Sequence, residues 1–257
     1  MNKKKLGKYL DEIYVKYKHK HSSIDPVWII HKLKDSRDIE IAGLVVSCYS
    51  YGRVNQINDL MNKLFKRIGY DVQEFTLNFS EQKDKKFFED LYYRFNTPED
   101  MMNLFRNINS VLRKFGSLKE LILGSISMDD LNIVNALCKF GKELHRCPGS
   151  SQSYNYLIPN VEKNSACKRL NLYLRWMVRD DDIDLGCWRD IGRNKIIMPV
   201  DTHVYKISRQ LGLINRRSCD LKFAEELTDR LKEFDPEDPV KYDFALCHIG
   251  IDKTYDY

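Results

Sequence analysis

One carboxylate stands out as a candidate catalytic group. Asp201 follows the apolar run Ile196-Ile197-Met198-Pro199-Val200 and precedes Val204, Ile207 and Leu211, which recur at helical spacing. Aspartate is preferred just before a helix, where it accepts backbone N–H groups, so one interpretation of Asp201 is structural. The same position, behind an approach stiffened by Pro199, also fixes a carboxylate toward a cleft. A carboxylate held there can stabilise positive charge that develops on a substrate, and the two interpretations are compatible.

Other chemistry-bearing residues lack the spacing that known sites need. The acidic run at residues 180–184 suggests a calcium loop, but Leu185 stands where such a loop requires glycine and Ile191 where it requires glutamate. The seven cysteines include no C-x-x-C pair, which argues against a compact zinc or iron–sulfur site. Glycine-rich phosphate-binding motifs are absent from the sequence. We therefore expect no metal and no cofactor.

Helices must position Asp201, because helix signals dominate the chain. Asp25-Pro26 and Thr97-Pro98 each place a capping residue before a proline at the first helical position. Residues 98–115 continue with an apolar stripe at spacings of three and four, and Gly116 ends it. The same criteria predict further helices at residues 38–51, 129–144, 167–178, 203–211, 218–234 and 239–249.

Three segments depart from the helical pattern. Residues 195–200 are an extended connector, limited by Pro199, and no period-2 run predicts a longer strand. Residues 69–86 are polar and mixed, which predicts a loop with a short helix. Residues 146–165 collect proline, glycine and serine and form the longest predicted loop.

Composition narrows the class of protein. Among 257 residues, 12 Gly and 7 Pro are few, which argues against a sandwich or barrel with many tight turns. A hydrophobic fraction of 43% supports a core, while no apolar run is long enough for a membrane span. The Lys-rich start lacks the apolar region of a secretory signal, and we expect a cytoplasmic protein with reduced thiols. The net charge of +5 permits a nucleic-acid partner without requiring one.

The segment PVDTHVYKISRQLGL, at residues 199–213, resembles the V-D-T-H-V-x-R-x-x-x-R-L-G-L motif of the helix-hairpin-helix DNA glycosylases. This superfamily includes endonuclease III and the oxidised-guanine glycosylases. Residues 39–57, IEIAGLVVSCYSYGRVNQI, are similar to its early buried helix, and residues 92–118 resemble a compact bacterial branch near the archaeal oxidised-guanine glycosylases. The resemblance covers most of residues 38–250, and its most specific parts are residues 199–213 and KRLNLYLRWMVR at 168–179.

The resemblance implies a catalytic aspartate at Asp201 and, in a bifunctional enzyme, a lysine nucleophile. Lys168 and Lys163 are the two candidates, and Lys168 is preferred because it opens the helix before the motif. If neither lysine attacks, Asp201 activates a water and the enzyme is monofunctional. The usual L-P-G-V-G hairpin is replaced here by Ile158-Pro159-Asn160-Val161-Glu162, which lacks both glycines. The family's C-terminal iron–sulfur loop is missing as well.

Base excision requires that the nucleotide leave the helix, so the family also implies residues that open and grip DNA. Candidates for the wedge are Tyr49, Tyr51 and Gln56. Candidates for the base pocket are Trp176, Trp188, Tyr242 and Phe244. Candidates for phosphate contacts are Arg53, Arg169, Arg175, Arg179, His203, Lys206 and Arg209.

The resemblance therefore predicts an all-α, two-lobed helix-hairpin-helix DNA glycosylase fold acting as a single catalytic unit. Residues 38–195 would form the lobe with the hairpin, and residues 1–37 and 196–257 the lobe that carries Asp201, with Lys168 facing Asp201 across a cleft. The expected partner of this monomer is double-stranded DNA with a damaged or modified base, and no membrane. The base is either an oxidised purine, in base excision repair, or a hypermodified phage base such as glucosylated hydroxymethylcytosine, in antiviral defence. A catalytically inactive DNA-binding module is the alternative.

Overall fold

The chain is helical throughout the part that the computed structural model describes, residues 2–18, 25–149 and 151–252. These ranges hold fourteen α-helices and no β-strand, which confirms the predicted all-α class. No helix within them is long and apolar enough to cross a membrane. The helices are α1 (Lys3–Tyr17), α2 (Val27–Ile30), α3 (Ser36–Tyr49), α4 (Val54–Ile68), α5 (Val72–Asn78), α6 (Glu81–Phe88), α7 (Pro98–Phe115), α8 (Leu118–Leu123), α9 (Val134–Glu143), α10 (Gln152–Leu157), α11 (Lys168–Val178), α12 (Thr202–Gln210), α13 (Leu221–Lys232) and α14 (Tyr242–Asp252).

Helix α7 begins and ends as its sequence predicts. The Thr97 hydroxyl accepts a bond from the Asp100 N–H at 3.4 Å, and the Asp100 carboxylate accepts one from the Thr97 N–H at 2.9 Å. Pro98 occupies the first turn, where its missing N–H costs nothing, and Gly116 ends the helix with φ of +86°. Helix α3 is buried from residue 39 to residue 49, as expected of a central helix.

Two polar segments are more helical than predicted. Residues 69–86 contain α5 and most of α6, because three phenylalanines hold them against α7. The rings of Phe75, Phe79 and Phe88 lie 5.4, 6.1 and 5.6 Å from that of Phe105. Within residues 146–165, the Ser151 hydroxyl caps α10 by accepting from the Tyr154 N–H at 2.9 Å.

Helix α9 starts later than the predicted residue 129. The Asn132 side chain accepts from the Val134 N–H at 3.0 Å and so acts as its cap. Residues 196–200 form a buried, non-helical connector, in agreement with the predicted extended segment. This connector is tied to α13 by a bond of 2.9 Å from the Met198 N–H to the Thr228 hydroxyl.

The chain forms two compact units. The first comprises Met1–His21, Leu131–Val134 and Val161–Tyr257, and the second comprises Ser22–Asp130 and Asn135–Asn160. These bounds differ from those of the predicted lobes, because the chain passes between units near residue 160 rather than near residue 195. Helix α11 therefore belongs to the same unit as α12 and α14, and these three helices carry the candidate site.

Candidate functional site

Asp201 caps α12 and also faces α14. Its Oδ1 accepts the backbone N–H groups of His203 and Val204 at 2.8 and 2.9 Å. Its Oδ2 lies 4.0 Å from the Cys247 sulfur on α14. The side chain is partly exposed, behind the buried connector 196–200. Both interpretations of this residue thus keep a geometric basis, since one oxygen serves the helix and the other is turned toward a neighbouring polar group.

Lys168 is the first residue of α11, and it is half-buried. Its positive charge lowers the pKa of two groups on α14, Asp243 and Cys247, which also feel the negative charge of Asp201. Lysine and aspartate therefore act on the same pair of side chains, although they are far apart in sequence. Lys163, by contrast, is exposed in the 3-10 segment Val161–Lys163.

Asp243 is a residue of this site that the sequence reasoning missed. It lies in the first turn of α14, has 6% of its surface exposed and pairs with the guanidinium of Arg175. Burial raises the pKa of Asp243 to about 6; Arg175 and Lys168 lower it and Asp201 raises it. No motif surrounds this aspartate. The available sequence signal was its position one turn before Cys247 on a predicted helix.

Cys247 supplies a neutral thiol rather than a thiolate. Burial raises the pKa of Cys247, and the carboxylates of Asp201 and Asp243 raise it further. A protonated thiol is a weak nucleophile. We call Lys168, Arg175, Asp201, Asp243 and Cys247 the charged cluster. The groups in it that can do acid–base or nucleophilic chemistry are therefore the amine of Lys168 and the carboxylates of Asp201 and Asp243. Arg175 is a fixed cation.

Arg175 in the charged cluster and Arg179 beside it are buried and form ion pairs there. Asp184 bridges them, accepting from Arg175 Nε at 3.0 Å and pairing closely with Arg179 Nη1. Arg179 also pairs with Asp238 at 2.9 Å. Because the two arginine side chains are only 6% and 5% exposed, they have no surface to offer a phosphate. Arg169 is buried too, at 9%, so none of these three predicted phosphate contacts lies at the surface.

Three of the predicted phosphate contacts lie on α12. His203, Lys206 and Arg209 are all exposed and recur at intervals of three, which places them on one face of this helix. The Arg209 guanidinium stacks 5.5 Å above the ring of Tyr205. Helix α14 packs closely against the start of this face, because a Cβ added to Gly250 would lie 2.9 Å from the Cβ of His203. The three remaining predicted phosphate contacts of this unit thus share one surface that starts beside Asp201.

The predicted base-pocket aromatics are mostly core residues. Trp176, Trp188 and Tyr242 are between 0% and 2% exposed. Trp188 packs edge-on against Tyr173 at 5.2 Å, and the Tyr242 hydroxyl donates to Asp11 at 2.8 Å. Their rings are already covered by protein and cannot stack on a base. Phe244 is the exception, because it is half-buried on α14.

Phe244 lies next to the charged cluster. The Arg175 guanidinium is 6.0 Å from its ring, and the His248 ring is 4.2 Å away. It is therefore the predicted pocket residue that the structure brings close to the charged cluster.

The predicted wedge residues belong to the second unit. Tyr49 is 1% exposed, and its hydroxyl has no hydrogen-bond partner among the described residues. Tyr51 is half-buried in the turn after α3, while Arg53 and Gln56 are exposed at the start of α4. Burial excludes Tyr49 as a wedge, and it leaves Tyr51 and Gln56 at the surface.

A cleft of about 540 Å³ in the first unit is lined by other residues than those of the charged cluster. It is lined by the segment 189–194 and by Asp180, Glu237 and Asp238. Its charges are largely paired with each other, as between Arg189 and Asp180 at 2.9 Å. Among the described residues, no group of three or more His, Cys, Asp or Glu side chains is placed to hold a metal ion.

Comparisons with known proteins give a family without an activity. No curated protein and no solved structure matches the chain. One family model matches residues 25–252, a range that includes α2 to α14 and therefore every residue of the charged cluster. The chain belongs to the family described as "Protein of unknown function (DUF2400)".

Proposed function

We propose that this protein is a DNA glycosylase of the helix-hairpin-helix type, which flips a damaged or modified base out of double-stranded DNA and excises it. The observation that carries the proposal is the charged cluster. Oδ2 of Asp201 lies 4.0 Å from the Cys247 sulfur on α14, Asp243 lies in the first turn of that helix, and the charge of Lys168 lowers the pKa of both, as expected if the lysine and the aspartate of the resembled family serve one site. The basic face of α12 adjoins Asp201 and offers phosphate contacts.

The chemistry assigns Asp201 to the sugar. As the bond between C1′ and the base nitrogen lengthens, positive charge develops on C1′ and the ring oxygen. A carboxylate fixed in place stabilises that charge without having to reorient. Oδ2 of Asp201 is the oxygen suited to this role, because Oδ1 is held by two backbone N–H groups.

Lys168 is the nucleophile of the proposed lyase reaction. Its neutral amine forms a bond to C1′ while the glycosidic bond breaks, and the departing base takes the electron pair and a proton. The amine must first lose a proton, and the carboxylate of Asp243, whose pKa the charge of Lys168 lowers, is the acceptor in this proposal; with a pKa of about 6 it is ionised at neutral pH. The nitrogen lone pair then expels O4′ from C1′, O4′ takes a proton from water, and the sugar ring opens to an iminium. The iminium loses a C2′ proton, and the 3′ phosphate leaves by β-elimination.

Two substrate classes remain within the proposal. One is an oxidised purine, which would make the protein a base-excision repair enzyme. The other is a hypermodified phage base such as glucosylated hydroxymethylcytosine, which would make it an antiviral enzyme. The hairpin without glycines supports the second, since it departs from the usual DNA contact in this type of protein. The alternative function is a catalytically inactive helix-hairpin-helix module that binds DNA.

A panel of duplexes tests the proposal. Each carries one oxidised, alkylated or deaminated base, or glucosylated hydroxymethylcytosine, and abasic sites are scored after incubation. Borohydride trapping on abasic DNA tests the amine. We expect wild type to release one class of base, Lys168→Gln to lose the covalent adduct and Lys163→Gln to retain it.

The matched lysine variants make the result specific. If Lys163→Gln loses the adduct and Lys168→Gln keeps it, the nucleophile is Lys163. Base release without any adduct assigns a monofunctional enzyme that acts through Asp201 and water. If wild type releases no base and forms no adduct, yet binds DNA, the inactive module replaces the enzyme.

A further inference from the structure

Three segments of the second unit converge on one exposed surface. They are residues 50–56 after α3, residues 92–97 before α7 and residues 151–160 around α10. The side chain of Asn96 donates to the Ser153 carbonyl at 2.9 Å and accepts a close hydrogen bond from the Tyr51 hydroxyl. The Tyr93 hydroxyl donates closely to the Tyr51 carbonyl. A single asparagine thus links all three segments.

The convergence assembles aromatic rings at the surface. The ring of Tyr156 lies 4.7 Å from Phe95 and 5.0 Å from Tyr51, nearly perpendicular to both. Tyr51 and Phe95 are 5.8 Å apart and close to parallel, with 29° between their planes. Phe95 is 49% exposed and Tyr156 43%. We call Tyr51, Phe95 and Tyr156, together with Arg94, the aromatic surface.

The aromatic surface is built rigidly although it faces water. Asn96 is 1% exposed and also donates to the Asp100 carboxylate at 3.1 Å, which in turn accepts from the Ser151 hydroxyl. Gly52, at φ +89°, passes so close to Arg94 that a Cβ would lie 2.7 Å from its guanidinium nitrogen. Groups that are already fixed lose little conformational entropy when they bind a ligand.

The charge of the surface is positive. Arg53 and Arg94 are the charged residues of the three segments, which contain no Asp or Glu. The Arg94 guanidinium lies 5.8 Å from the centre of the Tyr51 ring. In the first turn of α7, Asp100 is buried and hydrogen-bonded to Ser151, and Glu99 is the exposed acid. An anionic polymer that carries flat rings matches both features, the exposed aromatics and the arginines of the same segments.

We infer that the aromatic surface is a stacking site for unpaired nucleobases. The inference rests on the proposed function, because it assumes a nucleic-acid partner, and it adds where an unpaired strand is held. Phe95 and Tyr156 supply the faces on which bases stack, and Arg94 and Arg53 face the phosphates. Stacking on a ring needs no particular base, so we expect binding with little sequence preference.

Fluorescence anisotropy with a labelled oligothymidine tests the inference. The comparison is an oligomer of equal length built from abasic tetrahydrofuran units, which keeps the phosphates but lacks bases. We expect the oligothymidine to bind at least about tenfold more tightly, and Phe95→Ala with Tyr156→Ala to remove that difference, a loss of about 10- to 100-fold. Phe95→Trp keeps a stacking ring and should restore most of the affinity.

Controls separate stacking from other causes. Phe87→Ala removes an aromatic of the same unit that is also partly exposed, at 38%, and should leave binding unchanged. Circular dichroism melts establish that the variants are folded. An oligouridine of the same length identifies the source of the bases, since tighter binding of RNA would assign the surface to RNA.

Two results would overturn the inference. One is equal affinity for the thymidine and abasic oligomers. The other is a double variant that binds oligothymidine like wild type. This second result includes a double variant that keeps wild-type affinity and differs only in being a monomer where wild type is a dimer, as measured by sedimentation. None of these measurements needs a modified base or catalysis. A failure here therefore leaves the proposed glycosylase reaction untouched, and failure of base release leaves the stacking result standing.

Discussion

The charged cluster of the first unit and the aromatic surface of the second unit place side chains against their usual preference, in opposite directions. In the charged cluster, Asp243 and Arg175 carry charge in a nearly dry environment, at 6% exposure or less. In the aromatic surface, Phe95 and Tyr156 keep almost half of their area in water. Buried charge is expensive unless it is paired, and exposed rings forgo the stabilisation that burial would give.

The difference suggests what each region is for. A dry charge interacts strongly with charge that develops nearby, which suits a reaction. A wet ring that is already fixed suits a ligand that will cover it. The two regions should therefore respond differently to substitution. Changes in the charged cluster should affect folding and chemistry, whereas changes in the aromatic surface should affect binding and little else.

The largest effect should come from Arg175. Arg175→Leu leaves Asp243 without its buried partner and Asp184 with Arg179 alone, so we expect a loss of about 3–5 kcal/mol in the free energy of unfolding. Urea unfolding at neutral pH measures it. Arg209→Leu, which removes an exposed arginine of the same unit, should change stability by no more than about 0.5 kcal/mol.

A double variant shows whether the charge is the cause. Arg175→Leu combined with Asp243→Leu removes both members of the pair and should recover about half of the loss. If Arg175→Leu alone is as stable as wild type, the charged cluster does not depend on buried pairing. The contrast with the aromatic surface then loses its physical basis.

Asp201→Asn should separate chemistry from folding. Asparagine caps a helix about as well as aspartate does, so we expect a change in stability within about 0.5 kcal/mol. The amide carries no charge to stabilise a developing cation, and base release should fall by about 100- to 1000-fold. Single-turnover kinetics on the released base and urea unfolding are the two measurements. Full activity in this variant would contradict the proposed role of Asp201, and normal oligothymidine binding is expected because the aromatic surface is unchanged.

Much of the frame that holds these regions was predictable, whereas their details were not. Thr97-Pro98 and Gly116 predict the ends of α7 because local hydrogen bonds and backbone geometry decide them. Asp201 was predictable as a cap for the same reason. The segment around Phe75 and Phe79 was not predicted as two helices, since its helicity depends on contacts with Phe105, which is distant in sequence.

Burial explains the failures at the site. Arg175 and Arg179 look like phosphate ligands in sequence, and only the folded chain reveals that Asp184 occupies both. Asp243 stands in no motif, and its raised pKa comes first from burial, which only the folded chain creates. The exposure of Phe95, at 49%, is likewise visible only in the folded chain. The role of a charged or aromatic residue is set by its long-range neighbours.

Asp243 should make both stability and activity depend on pH near 6. Burial raises the pKa of Asp243 to about 6 from its ordinary value of 3.8, so its contribution to stability is present below about pH 4 and is lost as the pH rises through about 6. The free energy of unfolding of wild type minus that of Asp243→Asn, measured with urea at a series of pH values, should show that loss. A difference that does not vary with pH would show that Asp243 does not titrate in this range.

The activities of wild type and of Asp243→Asn should diverge over the same pH interval. Below about pH 6, protonated Asp243 cannot accept a proton from Lys168, so adduct formation by wild type should fall on the acid side. The Asp243→Asn variant should be slower and lack this limb. An unchanged limb in the variant would assign the titration to another group, with Asp201 the next to be tested.

The smallest effect should be the salt dependence of DNA binding, and it distinguishes the basic face of α12 from the aromatic surface. Lys206→Ala and Arg209→Ala each remove one proposed phosphate contact, so the slope of log affinity against log salt should shrink by about 0.9 per residue on duplex DNA. Phe95→Ala removes no charge and should leave the slope of oligothymidine binding unchanged while lowering the affinity at every salt concentration. Anisotropy titrations over a range of salt concentrations measure both. If Phe95→Ala flattened the slope, the exposed ring would be acting through the placement of Arg94, and the aromatic surface would then hold nucleic acid by charge, as proposed for α12.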